Sequence, residues 1–196
     1  MAPRVLSPSA LAASAGRLPA WARVTAPRLR HIERVAALMD RWASALGLAG
    51  EERARWRAAA WLHDALRDAD EAELRTILCE EGADLPAPVL HGPAAALKLA
   101  AEGETDASLL RAVRYHTVGH RDLDDLGRAL YLADFLEPGR DFAAEWRGAL
   151  RERMPADRDA VLREVLEARV GHLERRGRPV RPETLEFRHA VSTGSG

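Results

Sequence analysis

The residues best suited to chemistry are His63 and Asp64, side by side at the end of the apolar run Ala60-Trp61-Leu62. An imidazole nitrogen and a carboxylate oxygen are donors that suit iron, manganese or zinc. Neighbouring side chains on a helix diverge by about 100°, so both reach one ion only if it sits off the axis at the helix end. His31, His91, His116 and Asp134 also fall in or beside apolar segments, where an unpaired polar group is costly. Taken singly, His31 reads as a core-edge histidine bonded to a carbonyl. His91 reads equally as a helix cap or as a ring aimed into a shared cavity. Asp134 is different. Within Tyr131-Leu132-Ala133-Asp134-Phe135-Leu136 an ionised carboxylate needs a cation, several hydrogen bonds or a raised pKa, which favours a metal ligand.

A second concentration of polar groups is His116-Thr117-Val118-Gly119-His120-Arg121, which suits binding better than packing. A third is Glu137-Pro138-Gly139-Arg140-Asp141, where acids and a basic fork follow the apolar run. There is no Gly-rich phosphate loop, nucleophile elbow or internal repeat.

The elements that must hold these groups are helices. Apolar residues recur at three- and four-residue steps from Pro27 to Leu46, with His31 in the first turn. A second helix is expected from about Glu51 to Leu66, closing on His63 and Asp64, and a short one from Asp70 to Glu80, stopped near Gly82. Ala83 to Val89, with Pro86 and Pro88, reads as a loop or helix entry. His91-Gly92-Pro93 opens a small-residue helix to Ala101, and Asp106 to Tyr115 forms another. Leu126 to Leu136, apolar nearly all round, should be central. Ala143 to Arg153 and Ala156 to Arg176 look like amphipathic cover, with His172 and His189 as ordinary surface histidines.

The whole is an all-α pattern on 196 residues, enough for one domain with a core of its own. We expect a loosely ordered lead-in over residues 1–20, the domain over 21–189 and a flexible tail over 190–196. Cys79 is the only cysteine, so no internal disulfide forms and any metal site must use nitrogen and oxygen donors. A net charge of −1, with Lys98 the sole lysine, argues against a broad nucleic-acid surface but leaves room for small anionic ligands. With no bilayer-length apolar run and no signal-peptide core, a soluble cytoplasmic protein is expected, with no membrane or nucleic-acid partner.

One histidine, a His-Asp pair, two further histidines and a late aspartate together form the pattern of an HD-domain metal-dependent phosphohydrolase. Within that superfamily, His116-Thr117-Val118-Gly119, the stretch Tyr131 to Asp141 and the tail Gly177-Arg178-Pro179-Val180-Arg181-Pro182-Glu183-Thr184 resemble the YqeK family. The resemblance spans about Pro27 to His189. It implies a single helical HD bundle and symmetrical hydrolysis of diadenosine tetraphosphate to two ADP. It also implies a metal site of His31, His63, Asp64, His91, His116 and Asp134, with Asp64 the natural bridge between two divalent ions. Iron is favoured, with manganese and zinc as alternatives. Asp64, Arg67 and Asp68 are then the catalytic candidates, Arg67 standing where many HD proteins have lysine. Thr117, Gly119, His120, Arg121 and Arg140 are the candidates for holding the phosphate chain. Three other readings stay open: an HD hydrolase of a nucleoside mono- or diphosphate or cyclic nucleotide, a non-catalytic nucleotide- or metal-sensing module, and a plain helical domain with structural histidines. A homodimer is compatible with all of them.

Overall fold

A computed structural model describes residues 6–194, and among these ten α-helices and no strands are found. The expected helices appear close to their expected limits. They are α2 (Ala26–Ala45), α3 (Gly50–Leu62), α4 (Glu71–Leu78), α5 (His91–Ala101), α6 (Ala107–Tyr115), α7 (Asp125–Leu136), α8 (Ala144–Arg153) and α9 (Arg158–Arg175). Pro27 lies in the first turn of α2, where its missing N–H is no loss. Asp106 and Asp124 cap α6 and α7, Asp106 accepting from the Ser108 and Leu109 N–H groups and Asp124 from that of Gly127.

Two further helices fall outside those expectations. Within the stretch read as a loose lead-in, α1 (Pro8–Ser14) is capped by Ser7 and packs on α3, with Ala10 and Ala13 wholly buried. Two alanines bury little area, so the pattern is faint in sequence, yet they let α1 lie close to the equally small Ala58 to Ala60 face. The compact unit therefore begins before residue 21. At the other end α10 (Pro182–Thr193) packs on α9 and buries Thr184, Phe187, Ala190 and Val191, so residues 190–193 are helical rather than a free tail. Residues 1–5 of the lead-in and 195–196 of the tail lie outside the described residues.

The core lies where α2, α3, α6 and α7 meet. Trp42, Met39 and Ile32 of α2 and Tyr131 and Leu130 of α7 are among its largest buried side chains. As expected from its apolar circumference, α7 is central, touching α2, α3, α6, α8 and α9. Helix α5 is Ala-rich because it must press against α6. A Cβ added at Gly92 would lie 2.8 Å from the Arg114 carbonyl oxygen and 3.0 Å from that of Val113. No helix among the described residues is long and apolar enough to cross a membrane.

Candidate metal centre

The six polar groups singled out above converge. His31 enters from the first turns of α2 and Asp134 from the last turn of α7, while His91 is the first residue of α5. His63 and His116 occupy equivalent positions, each the residue that caps the end of its helix, α3 and α6. Both rings fold back so that Nδ1–H donates to the carbonyl three residues earlier, Ala60 at 2.7 Å and Val113 at 2.8 Å. This fixes the ring and turns Nε2 towards the centre. Because α3 stops at Leu62, Asp64 lies in the turn beyond the helix, which removes the angular conflict of two neighbours on one helix.

Two donor groups result: His31, His63 and Asp134, and Asp64, His91 and His116, each with ligand atoms within 4.8 Å of one another. Asp64 lies between them. Its Oδ1 is 3.1 Å from His91 Nε2 and 3.4 Å from His116 Nε2. Its Oδ2 is 3.5 Å from His31 Nε2 and 3.6 Å from His63 Nε2. His31 Nε2 is also 3.1 Å from Asp134 Oδ1. Four imidazole nitrogens and two carboxylates, all but Asp134 nearly sealed from solvent, form a donor set that fits divalent cations.

The electrostatics show a centre waiting for positive charge. Burial opposes a charged His31, but hydrogen bonds to Asp134 and Glu137 outweigh it and raise its pKa to about 9. Burial, with the neighbouring His116 and His31 adding to it, drives His63 the other way, to about 4, against the pull of Asp64 and Asp134. Burial likewise opposes ionised Asp64 and Asp134, yet the surrounding imidazoles hold both well below the usual carboxylate range, with Arg140 assisting at Asp134.

The centre opens into a cavity of about 460 Å³ lined by Arg28, Arg34, Arg67, Arg140 and Arg169, with Thr117 and Phe135. Among the residues expected at the site, Arg67, Thr117 and Arg140 are therefore brought to it. Thr117 Oγ1 is 3.0 Å from His116 Nε2 and 3.3 Å from His91 Nε2, and Arg140 Nη2 donates to Asp134 at 2.7 Å. Four others are not brought to it. Asp68 faces away and accepts from the backbone N–H and hydroxyl of Thr25, both at 2.7 Å, leaving Arg28 Nε 3.6 Å from its other oxygen. Gly119 has φ +79° and lies under Phe187, whose ring leaves no room for a Cβ. That left-handed glycine turns the chain away from the centre, so His120 stacks on Tyr115 and Arg121 stands out in solvent beside Asp122.

Sequence reasoning missed Arg28, Glu137, Arg34 and Arg169. Arg28 Nη1 donates to Asp64 Oδ2 at 2.8 Å. Glu137, only 2% exposed, bonds His31 Nδ1 at 3.3 Å and takes Arg34 on its other oxygen. Burial opposes its charge, but His31 and Arg34 hold its pKa near 2. Arg169, on a helix read as amphipathic cover, reaches the Thr117 carbonyl from α9. Only the acid after the Asp134 helix gave any warning in the sequence.

The HD domain family model matches residues 28–139, more than half the chain and the whole span from His31 to Asp134. The chain belongs to the HD domain family. Curated relatives of this HD protein include two named symmetrical bis(5'-nucleosyl)-tetraphosphatase. The one from Halalkalibacterium halodurans is 28% identical over 144 residues, covering 70% of this chain and 76% of the relative. The one from Bacillus subtilis is 27% identical over 154 residues, covering 74% and 81%. Among solved structures, an HD superfamily hydrolase from Clostridium acetobutylicum, described as involved in NAD metabolism, superposes with a TM-score of 0.75. It is 24% identical and covers 87% of this chain and 92% of its own, which confirms the all-α HD fold. The HD protein is thus a hydrolase whose family binds divalent metals, and its donor groups are disposed to do so.

Proposed function

We propose that this HD hydrolase cleaves a dinucleoside polyphosphate symmetrically, with diadenosine tetraphosphate giving two ADP. The observation that carries the reading is Asp64, whose two oxygens each face a separate pair of histidines at the floor of a cavity walled by arginines. The names of the relatives from Halalkalibacterium halodurans and Bacillus subtilis support the same substrate.

The reaction adds water across the P–O bond between the two inner phosphates, and the bridging oxygen leaves with the second ADP. His31, His63, Asp64, His91, His116 and Asp134 would hold divalent ions, whose positive charge would make water a competent nucleophile at neutral pH and neutralise phosphoryl oxygens. Iron suits a donor set of nitrogen and oxygen without sulfur, and manganese or zinc would also fit. Arg67, Arg140, Arg34 and Arg169 line the cavity where the transferred charge spreads and act on it electrostatically. Arg28 holds Asp64, and Asp68 fixes Arg28 from behind, so Asp68 acts as a positioning residue rather than a base. Such an enzyme would work in the cytoplasm.

Incubation of the metal-loaded protein with diadenosine tetraphosphate, followed by product separation, tests this. Two ADP are expected; ATP with AMP would move the attack to an outer phosphorus. Faster turnover of a mononucleotide or cyclic nucleotide would assign a different substrate, and tight binding without turnover would make the protein a sensor.

A further inference from the structure

Thr117 follows His116 in the chain and lines the arginine-walled cavity. Its hydroxyl oxygen is 3.0 Å from His116 Nε2 and 3.3 Å from His91 Nε2. Those two nitrogens are 3.0 Å from each other, and Asp64 Oδ1 lies 3.1 Å from His91 Nε2 and 3.4 Å from His116 Nε2. Two donors held by one ion at about 2.1 Å stand about 3.0 Å apart in octahedral geometry and about 3.4 Å apart in tetrahedral geometry. All five separations match that spacing. The hydroxyl thus stands to the two imidazoles as the Asp64 carboxylate does.

Hydrogen bonding alone accounts for this contact only while no cation is bound. His116 gives its Nδ1–H to the Val113 carbonyl, so its Nε2 keeps a lone pair that accepts the Thr117 O–H. A cation on His116 takes that lone pair, and the hydroxyl must then turn its proton elsewhere and its own lone pair inwards. The main chain that carries it is held from three sides. Arg169 of α9 donates to the Thr117 carbonyl, and the Thr184 hydroxyl of α10 donates to the Val118 carbonyl at 2.7 Å. The Gly119 N–H donates to the Tyr115 carbonyl at 2.7 Å. Arg169 and Thr184 both lie beyond residues 28–139, the span that the HD domain model matches.

We propose that the Thr117 hydroxyl oxygen is a fourth donor of the Asp64, His91 and His116 group, a reading that rests on the metal centre of the proposed function and not on its substrate. A hydroxyl adds an oxygen without adding negative charge. The other group has the Asp134 carboxylate in addition to the facing oxygen of Asp64. The Thr117 group is therefore the less anionic of the two, and leaves more of a divalent charge available to phosphoryl oxygens in the cavity.

The test uses full-length protein with no nucleotide present, with manganese for affinity by calorimetry and cobalt for absorption spectra. An Asp134→Ala background keeps Asp64, His91 and His116 and so isolates the group in question. In that background Thr117→Val should weaken manganese binding by about tenfold or more, and Thr117→Ser should keep it within about twofold. Thr117→Cys should give a thiolate-to-cobalt charge-transfer band, because a thiol that reaches the ion loses its proton. Wild-type protein, whose Cys79 is exposed, should give none. Unchanged manganese affinity in Thr117→Val, or no band in Thr117→Cys, overturns the assignment even where diadenosine tetraphosphate is cleaved. If affinity falls in Thr117→Val and the band appears in Thr117→Cys while wild-type protein cleaves no dinucleotide, the Thr117 donor stands and the hydrolase assignment falls.

Discussion

The Nδ1 of His31 lies 3.3 Å from the buried Glu137 carboxylate, while its Nε2 lies 3.1 Å from Asp134. Glu137 therefore fixes which nitrogen of His31 faces the centre. Outer partners of this kind typically change metal affinity or activity by about 10- to 100-fold when lost. Glu137→Gln should lower metal occupancy at sub-saturating metal by that order, measured by elemental analysis. Excess metal should restore much of the activity, which it would not do if Glu137 touched substrate.

The contacts of His31 with Asp134 and Glu137, and the burial of His63, set the pH response of the metal-free protein. His31 has its pKa raised to about 9, so its contribution to stability is complete below its ordinary value of 6.5 and is lost as pH climbs through 9. His63 is depressed to about 4; its contribution is complete above 6.5 and is lost as pH falls through 4. Urea midpoints of chelator-treated protein should therefore peak near pH 6.5. Since a cation must displace the His31 proton, metal affinity should rise from pH 6 to 9.

Asp64 faces both donor groups, whereas Asp134 belongs to one. Asp64→Asn should abolish turnover and lower metal content at both groups. Asp134→Ala should lower metal content by about half relative to wild type, because Asp64, His91 and His116 stay intact. Equal metal content in the two variants would refute separate groups.

Arg67 lines the cavity, while Arg121 has 62% of its side chain exposed and pairs with Asp122. Arg67→Gln should lower kcat/KM on diadenosine tetraphosphate by about 10²-fold. Arg121→Gln should leave it within about twofold, since an exposed ion pair contributes little. Steady-state kinetics on the two proteins decides between them.

Gly92 lets α5 reach the end of α6, and an added Cβ would meet the Val113 carbonyl at 3.0 Å and His116 Cε1 at 3.3 Å. Gly92→Ala should lower stability by about 1–3 kcal/mol, as overpacking does. It should also weaken metal binding, because the Val113 carbonyl orients His116. Denaturant titration with and without metal separates the two effects.

The helices and ligands were legible because their signals are strong. Apolar periodicity marks α2, an apolar circumference marks α7, and a carboxylate inside the apolar run around Asp134 is too costly to stand without a cation or several hydrogen bonds. What escaped was what depends on distant packing. Nothing local tells that Glu137 lies under His31 or that Arg169 crosses from α9 to the Thr117 carbonyl. His120 and Arg121 misled for the opposite reason: they adjoin His116 in sequence, but the positive φ of Gly119 under Phe187 sends the chain elsewhere. The alanine-rich α1 and α10, whose buried positions are only Thr184, Phe187, Ala190 and Val191, carried too little hydrophobic contrast to stand out.

His31 and Asp134 belong to one donor group although about half the chain separates them. No local fragment can gather that group, and its loop closure is completed only once α2 and α7 have docked. During synthesis a half-made chain thus holds neither donor group complete. An ion that binds only the finished molecule would shift the folding equilibrium towards it.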